Sequence, residues 1–331
     1  MNLSFEQMYQ QLSEKHRPQL EKIQRSIARK LWIAGILCVG VAILLLVLLP
    51  ASEFPIYLIV CMPIAFCVYR HFLKRPYVLY FRENVAKSFV RLMDSNLSYS
   101  PEPSGTENIR IMDNYYTAKF DGRTILGDAR RMVQVTTMGS PGLSNLITGE
   151  IEARPFRLCC MSLQGSGNDK TKFKGLFVSM KVSKSLNGFI KVGRKVGLPG
   201  FNQRYIPRAE RKKMDHGVFE KDFFVGSDDQ ITAMQYLTAD IMELFLDFKN
   251  ELIDIQTRFN RDLWPQNPSR ISLDLFWQGD EVLMRIGNKK MFKPTMRDPM
   301  CKDSLACCLS SLAFATRFNQ VVTKSIKDTA I

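Results

Sequence analysis

Histidine is the scarcest chemistry-bearing residue here, with three copies among 331 residues. His16, His71 and His216 stand far apart, and none of the eight cysteines lies in a CxxC pair. A structural zinc site needs four nitrogen or sulfur ligands at short, characteristic spacings. The sequence therefore predicts no bound metal and no disulfide framework, and it favours free thiols in a reducing compartment.

A nucleotide-binding loop is also missing. The stretch 165–171 reads GSGNDKT, which resembles a phosphate loop at first sight. A Walker loop needs glycine directly before its Lys-Thr pair so that backbone amides can surround the phosphates, and Asp169 would repel them. A flexible connection between strands is the better interpretation.

No set of side chains suggests catalysis. The acidic residues Glu220, Asp222, Asp228 and Asp229 could form an acid pair or bind a divalent ion, but acids at a helix start stabilise the helix dipole without any chemistry. His216 lies in a charged turn, where a solvated role is the more ordinary one. We therefore predict no catalytic residue, no metal ligand and no cofactor.

The dominant feature that is present is a long apolar stretch, 31–73. Residues Leu31 to Leu49 contain no charged side chain, and at 1.5 Å per residue they are long enough to cross a hydrocarbon core of about 30 Å. A second run follows after a short turn. The sequence predicts a transmembrane hairpin with one span at 31–50 and the other at 55–73; a buried hairpin in a soluble fold is the weaker alternative because no polar stripe is present.

The flanking charges orient this hairpin. The turn at 51–55 carries no lysine or arginine, whereas both outer flanks are rich in them. Cations on short flanks mark the cytoplasmic side, so both termini are expected in the cytoplasm. A cleaved signal peptide is the competing interpretation, but its charged region would be unusually long and no small-residue cleavage site follows.

Helices are expected on both sides of the hairpin. Residues 1–30 are amphipathic, with a break predicted at Pro18, and they continue into the first span. Residues 74–96 form a juxtamembrane helix that Pro76 is expected to start. The remaining segment, 97–331, is predicted to be one cytoplasmic domain.

That domain combines strands and helices. Grouped strands with hairpins between neighbours indicate an α+β fold, in which antiparallel strands pack with long helices. Ser227 and Thr238 are predicted helix caps. The expected strands are Glu150–Met161, Phe173–Val182, its return Phe189–Val196 after a turn at Asn187-Gly188, Val218–Val225, and a second hairpin of Ile271–Trp277 with Glu281–Ile286; the expected long helices are Ala239 to about Ile255 and Lys302 to about Ile326.

Three blocks carry a family resemblance: FKGLFVSMKV, VFEKDFFVGSDDQITAMQYLT at 218–238, and the hairpin-plus-helix ending. They resemble the DUF3137-type membrane proteins, a bacterial family of unknown function, over most of the chain from the hairpin to the last helix. This resemblance implies two N-terminal spans, one cytoplasmic domain and a place in the bacterial inner membrane as a multi-pass protein. It implies no activity or cofactor, and it points to a LemA-type or other membrane protein as partner.

The formal charge of +14 is concentrated between residues 170 and 213, where thirteen lysines and arginines accompany one acid, Glu210. Next to an anionic leaflet each such cation is worth about 1 kcal/mol of attraction. A lipid-facing patch is therefore favoured over nucleic-acid binding, with a merely solubilising loop close behind. The candidate membrane-surface residues are Lys191, Arg194, Lys195, Arg204, Arg208, Arg211, Lys212 and Lys213.

Together these features favour a non-enzymatic, membrane-anchored interaction or scaffold module. Its expected partners are the lipid bilayer with its anionic headgroups and a second membrane protein, and nucleic acid is the less favoured one. Gly35 and Gly40 would also allow close contact between helices of a homo-oligomer. A membrane-tethered enzyme with an unrecognised site is the alternative.

Overall fold

The computed structural model describes residues 4–48, 54–101, 119–120, 123–124, 142–163, 173–195, 210–259, 272–287, 292, 294 and 298–329. The chain divides into two compact units. The helical unit comprises Asn2–Phe89 with Lys293–Cys301, and the sheet unit comprises Val90–Phe292 with Lys302–Ile331.

The helices account for most of the N-terminal third and the C-terminal end. They are α1 Phe5–Leu48, α2 Phe54–Tyr80, a π-helical turn Phe81–Ala86, α3 Lys87–Met93, α4 Gly217–Asp222, α5 Gln230–Tyr236, α6 Ala239–Phe259 and α7 Lys302–Thr329.

The strands belong almost entirely to the sheet unit's large sheet. They are β1 Ser98–Ser100, β2 Lys119–Phe120, β3 Arg123–Thr124, β4 Gly142–Ile151, β5 Arg154–Leu163, β6 Phe173–Arg194, β7 Arg211–Lys212, β8 Phe223–Ser227 and β9 Leu273–Gly287. All recorded pairings are antiparallel, and β2 with β3 forms a separate small ribbon.

In the helical unit, α1 continues without a break through Pro18, so the predicted interruption is wrong. Met8, Leu12 and Leu20 are all fully buried and recur every four or eight residues along one side of the helix. A proline inside a helix costs about 3 kcal/mol. Burying each of these large side chains stabilises by about 1.5–3 kcal/mol, so packing on both sides of Pro18 outweighs its cost.

The helix α2 likewise passes through Pro76, which was wrongly expected to start a new helix. The backbone widens only after Tyr80, into the π-helical turn. A wide turn disturbs the regular backbone hydrogen bonding. The Asn84 side-chain amide donates to the Tyr80 carbonyl at 3.1 Å and so supplies it with a partner.

In the sheet unit, β4 and β5 form a tight hairpin that was predicted only as a single extended stretch, Glu150–Met161. Its two central residues, Glu152 and Ala153, have φ of 51° and 60°. Two positive φ values in succession are the signature of the hairpin turn whose twist matches the strands. Neither residue type favours that conformation, which explains why the sequence did not reveal the turn.

The segment β9 folds back on itself at Gly279–Asp280. The Gly287 amide donates to the Ser272 carbonyl at 2.8 Å, and Arg285 Nε lies 2.9 Å from an Asp274 carboxylate oxygen. A straight strand would separate Asp274 from Arg285 by roughly 36 Å. The predicted second hairpin is therefore confirmed.

The chain also reverses within β6, but its two arms do not pair with each other. Leu176 in the first arm has Cys160 and Ile286 as its two strand neighbours. Val192 in the second arm has Val225 and Leu275. The two arms of β6 thus flank the β9 hairpin, and the direct hairpin expected at Asn187-Gly188 is wrong.

The expected strand Val218–Val225 is wrong in its first half, because the chain forms the short helix α4 before β8 begins. The sequence alternates poorly there, and helix formation buries Phe219 fully. Its ring stacks on Phe223 with centroids 4.8 Å apart.

Helices cover one face of the sheet. Trp277 on β9 contacts Phe318 on α7 and Tyr236 on α5, with ring centroids 5.7 and 5.2 Å apart. Phe223 on β8 contacts Phe245 on α6 at 5.8 Å. The sheet unit is therefore a mixed fold of antiparallel sheet and helices, with α6 and α7 starting at the predicted residues.

Among the described residues, the helix that is long and apolar enough to cross a membrane is Lys302–Lys324, within α7. Two thirds of its apolar window is buried inside the fold, as in the core helix of a soluble domain. The predicted membrane hairpin is not established, because its turn at 49–53 lies outside the described residues.

Candidate functional site

The outward side of α1 changes character near residue 31. Before that point the exposed side chains include Arg25, Arg29 and Lys30. Beyond it, Trp32 is 73% exposed and Leu37 61% exposed, within a set of large apolar side chains that have no cover in the fold. The other exposed members of this set on α1 are Ile33, Ile36, Val39, Val41 and Ile43.

The second helix shows the same change over a shorter stretch. Val68, Tyr69 and Phe72 in α2 are all exposed, whereas Tyr77 in the same helix is buried. Soluble proteins rarely leave a contiguous apolar surface of this kind without an interaction partner.

The predicted basic patch is only partly a free surface. Lys191 Nζ lies 2.9 Å from a Glu210 carboxylate oxygen, and its side chain is 12% exposed. Arg194 is buried at 6% exposure, and burial lowers its pKa while the nearby Asp222 carboxylate opposes that shift. Lys191 and Arg194 therefore make their contacts within the fold.

Lys195 and Arg211 meet around one aromatic ring. Their charged groups lie 4.4 and 4.1 Å from the centroid of Phe224, which is cation–π distance. Lys195 also donates to the Glu220 carbonyl. The stack orders both cations on the sheet edge formed by β7 and β8.

The remaining predicted patch residues differ in position. Lys212 is half-buried in β7, and Lys213 is exposed just beyond it. Arg204 and Arg208 lie outside the described residues. Lipid binding by this patch stays a prediction.

The acidic residues that could have formed a catalytic acid pair make structural contacts within the fold. Asp229 is the N-cap of α5: it accepts from the Thr232 amide at 2.7 Å, and this bond lowers its pKa. Ser227 was therefore wrongly assigned as the cap. Asp222 pairs with Lys249 at 2.6 Å, and Glu220 accepts from the Met214 amide.

Neither acids nor histidines gather into a metal site in the described part of the chain, where no suitable group of three ligands occurs. His216 caps α4, with its Nδ1 accepting from the Phe219 amide at 3.1 Å. His16 is buried beside Tyr80, and burial lowers its pKa. The phosphate-loop-like stretch 165–171 lies outside the described residues.

Buried cysteines line the interior. Cys159 and Cys308 are buried, and burial raises the pKa of each thiol. The described cysteines form no disulfide among the described residues. Such thiols behave as small apolar side chains and are poor nucleophiles.

The feature that sequence reasoning missed is a set of polar and charged side chains, several of them buried, on the sheet face away from the helices, which we call the charged sheet face. Its members lie on the same side of the sheet, because directly paired strand residues point to the same side. They are Arg157, Ser179, Lys181, Asp274, Glu281 and Arg285, and the buried apolar residues Phe177 and Leu283 lie between them on the same face.

The charges on this face are arranged in pairs. The Asp274–Arg285 pair is nearly buried, with side-chain exposures of 8% and 13%. Lys181 pairs with Asp280 at 2.9 Å at the solvent-exposed end. Glu281 accepts a 3.3 Å hydrogen bond from Ser179, and burial raises its pKa.

Sequence alternation contained the signal for this face. Between Val178 and Val182 polar residues alternate with apolar ones, and Glu281 and Arg285 lie four residues apart, but the apolar residues Phe177 and Leu283 interrupt the pattern. The missing information was the strand order, because β9 inserts between two parts of β6 that are close in sequence.

These observations define a class: an antiparallel sheet with helices on one face and paired charges on the other, in a chain that also has a separate helical unit. Residues 171–322, from the start of β6 through most of α7, match a family model described as a protein of unknown function (DUF3137). Over these residues the chain is therefore similar to this family. The match is shorter than the resemblance suggested, since it does not include α1 and α2.

Neither the curated proteins nor the solved structures contain a match to this chain.

Proposed function

We propose that this protein is a membrane-anchored interaction module of the bacterial inner membrane. Residues 31–50 and 55–73 serve as its two spans, with both termini in the cytoplasm. The sheet unit then recruits or holds a second protein, and no catalytic step is involved.

The proposed anchoring rests on one observation, which is the change from charged to apolar side chains along the outward side of α1. One continuous helix shows water-compatible cations before residue 31 and bare apolar side chains after it. Exposing a large apolar side chain fully to water costs about 1.5–3 kcal/mol, so the cost for the seven partly exposed ones on α1 is comparable to the stability of an ordinary domain. A hydrocarbon environment removes this cost.

The charged sheet face supports the interaction role. Paired charges of both signs at a surface give specificity to a protein partner of complementary pattern. Lys181 and Asp280 remain half-exposed at its end, where a partner could reach them. A LemA-type or other membrane protein fits this proposal, because anchoring holds both partners at the same surface.

Photo-crosslinking from the full chain in its native membrane tests this proposal. A benzoyl-phenylalanine replaces Lys181 on the charged sheet face or, as the matched control, the exposed Lys221 on α4. We expect a discrete crosslinked protein from position 181 and none from position 221. Equal products from both positions, or no product from 181, would reject this face as the interaction surface.

A membrane-tethered enzyme is the second candidate, and Glu281 is the residue that favours it. A carboxyl whose pKa is raised by burial, beside a hydroxyl and within reach of Arg157 and Lys181, has the character of a general acid. The discriminating variant is Glu281→Gln, which preserves the shape of the side chain. A loss of cellular function with unchanged crosslinking from position 181 would favour the enzyme.

The basic patch adds a contact with the anionic leaflet in this proposal. Lys213 is the described member best placed to supply it, because it is exposed, whereas Lys191 and Arg194 are engaged within the fold and Lys195 and Arg211 are ordered on Phe224. Neutralising Lys213 should weaken the binding of the full chain to phosphatidylglycerol vesicles more than neutralising Lys191.

A further inference from the structure

We infer that a groove between α1 and α2 binds the headgroup of an anionic phospholipid. This inference rests on the proposed membrane anchoring and names a specific ligand site for the same helices. The groove encloses about 290 Å³, which is near the lower limit of small-molecule sites. Its walls are Gln19, Lys22, Ile23, Ser26, Ile27 and Lys30 from α1 with Leu73 and Pro76 from α2.

The α1 wall is a single face of the helix. Its residues follow the spacing of three and four that places side chains one above another. Of these residues Ile27 is buried, while Lys22 and Lys30 are exposed. The groove is thus apolar inside and positively charged at its rim.

The charge of the rim is uncompensated among the described residues. No acidic side chain lines the groove, and Lys22 and Lys30 form no ion pair within the described part of the chain. The nearest acid along α1, Glu21, is already paired with Arg17 at 2.9 Å and with Arg25 at 3.7 Å. The groove therefore selects an anion.

The position of the groove selects a lipid over a soluble anion. Lys30 directly precedes the first proposed span, and Leu73 is the last residue of the second. The groove consequently opens at the depth of the inner-leaflet headgroups, where basic pockets between membrane helices bind anionic lipids. Gln19 and Ser26 offer hydrogen-bond donors to phosphate oxygens.

The apolar part of the groove distinguishes a phospholipid from inorganic phosphate. Ile23, Ile27 and Leu73 form a wall that a glycerol backbone and the start of an acyl chain would cover. Free phosphate would leave this wall in contact with water.

The test measures lipid binding to the delipidated full chain in detergent by native mass spectrometry. The probes are dioleoyl phosphatidylglycerol and dioleoyl phosphatidylcholine, with an excess of inorganic phosphate as competitor. We expect the wild-type chain to prefer phosphatidylglycerol, and Lys22→Gln with Lys30→Gln to weaken that binding about ten- to thirty-fold. Inorganic phosphate should not displace the lipid.

The matched control is Arg25→Gln with Arg29→Gln. It removes the same charge at the same depth of α1 but from residues that do not line the groove. A second variant, Ser26→Phe, blocks the groove without changing charge and should also abolish the preference. Far-UV circular dichroism in detergent establishes that each variant retains its helices.

Three results would overturn the inference. They are equal binding of both lipids by the wild-type chain, an equal loss in the two charge variants, and displacement of the lipid by inorganic phosphate. Extraction of the wild-type chain from native membranes by alkaline carbonate would instead reject the anchoring itself, so the two failures are distinguishable.

Discussion

The two long helices α1 and α7 both contain extended apolar stretches, yet they place them in opposite surroundings. In α7 the apolar side chains are buried against the sheet and α6, where Phe314 stacks on Phe248 with centroids 4.4 Å apart. In α1 the large apolar side chains whose burial the structure describes beyond residue 31 are mostly exposed. Length and composition are therefore insufficient to define a membrane span.

What distinguishes the two helices is the pattern of polar residues along them. Ser310 and Asn319 in α7 make hydrogen bonds within the sheet unit, to Glu251 and Glu152. Leu31 to Leu48 of α1 contain no charged residue. A core helix includes polar residues that fix its neighbours, whereas a lipid-facing helix has no need of them.

The largest expected effect comes from truncating one large apolar side chain to alanine in each of the two helices. Phe318 is fully buried, and Phe318→Ala should lower the free energy of unfolding of the sheet unit by about 3–5 kcal/mol. Ile36→Ala should change it by less than about 0.5 kcal/mol, since Ile36 is more than half exposed. Urea denaturation followed by near-UV circular dichroism in detergent measures the free energy of unfolding of both variants. A comparable loss of this free energy in the two variants would contradict the contrast between a buried α7 and an exposed outward side of α1.

A charge placed on the exposed side of α1 should act on insertion rather than on folding. Val39→Lys puts an ammonium near the middle of the proposed span, where it costs about 2.5–3.5 kcal/mol. We expect a larger carbonate-extractable fraction for this variant than for the control Val39→Leu. Identical extraction of the two variants would contradict a lipid-facing Val39.

The buried thiols predict how the sheet unit responds to alkali. The pKa of Cys308 is raised above the ordinary value of 9.0, so the folded state keeps its proton after the unfolded state has lost it. Stability should then be intact below pH 9.0 and fall as pH rises further, by about 1.4 kcal/mol per pH unit for each such thiol. Cys308→Ala should flatten this decline in pH-dependent denaturation, and an unchanged slope would argue against a buried thiol.

The smallest expected effect concerns a hydrogen bond that ties α7 to α6. Ser310 donates to a Glu251 carboxylate oxygen at 2.6 Å. Ser310→Ala should cost about 1 kcal/mol, because Glu251 is exposed and regains water. Glu251→Gln, which keeps an acceptor oxygen, serves as the control, and thermal unfolding of the two variants would show the larger loss for Ser310→Ala.

Local signals in the sequence predicted the positions of helices and turns better than they predicted which strands pair. The starts of α6 and α7 and the reversal at Gly279–Asp280 followed from periodicity and turn residues. The path of β6 was not predicted, because its two arms pair with β9, roughly 80 to 110 residues further along the chain. Pairing at such a distance depends on packing that no local pattern records.

The same limit applies to the candidate sites. The basic patch was read from its charge count, but the sequence could not show that Lys191 and Arg194 are engaged within the fold. The groove between α1 and α2 could not be recognised from the sequence, because its two lysines and three apolar side chains form one site only when the two helices are in contact.

The most direct test of the central claim is maleimide labelling of full-length protein in native membranes. Thiols react as thiolates in water, so a cysteine in hydrocarbon stays unlabelled. We expect Arg29→Cys to gain one label over the wild-type chain and Ile36→Cys to gain none until the membrane is dissolved with sodium dodecyl sulfate. Labelling of Ile36→Cys as fast as Arg29→Cys in intact membranes would show that the apolar side of α1 faces water, and the proposed anchoring would be wrong.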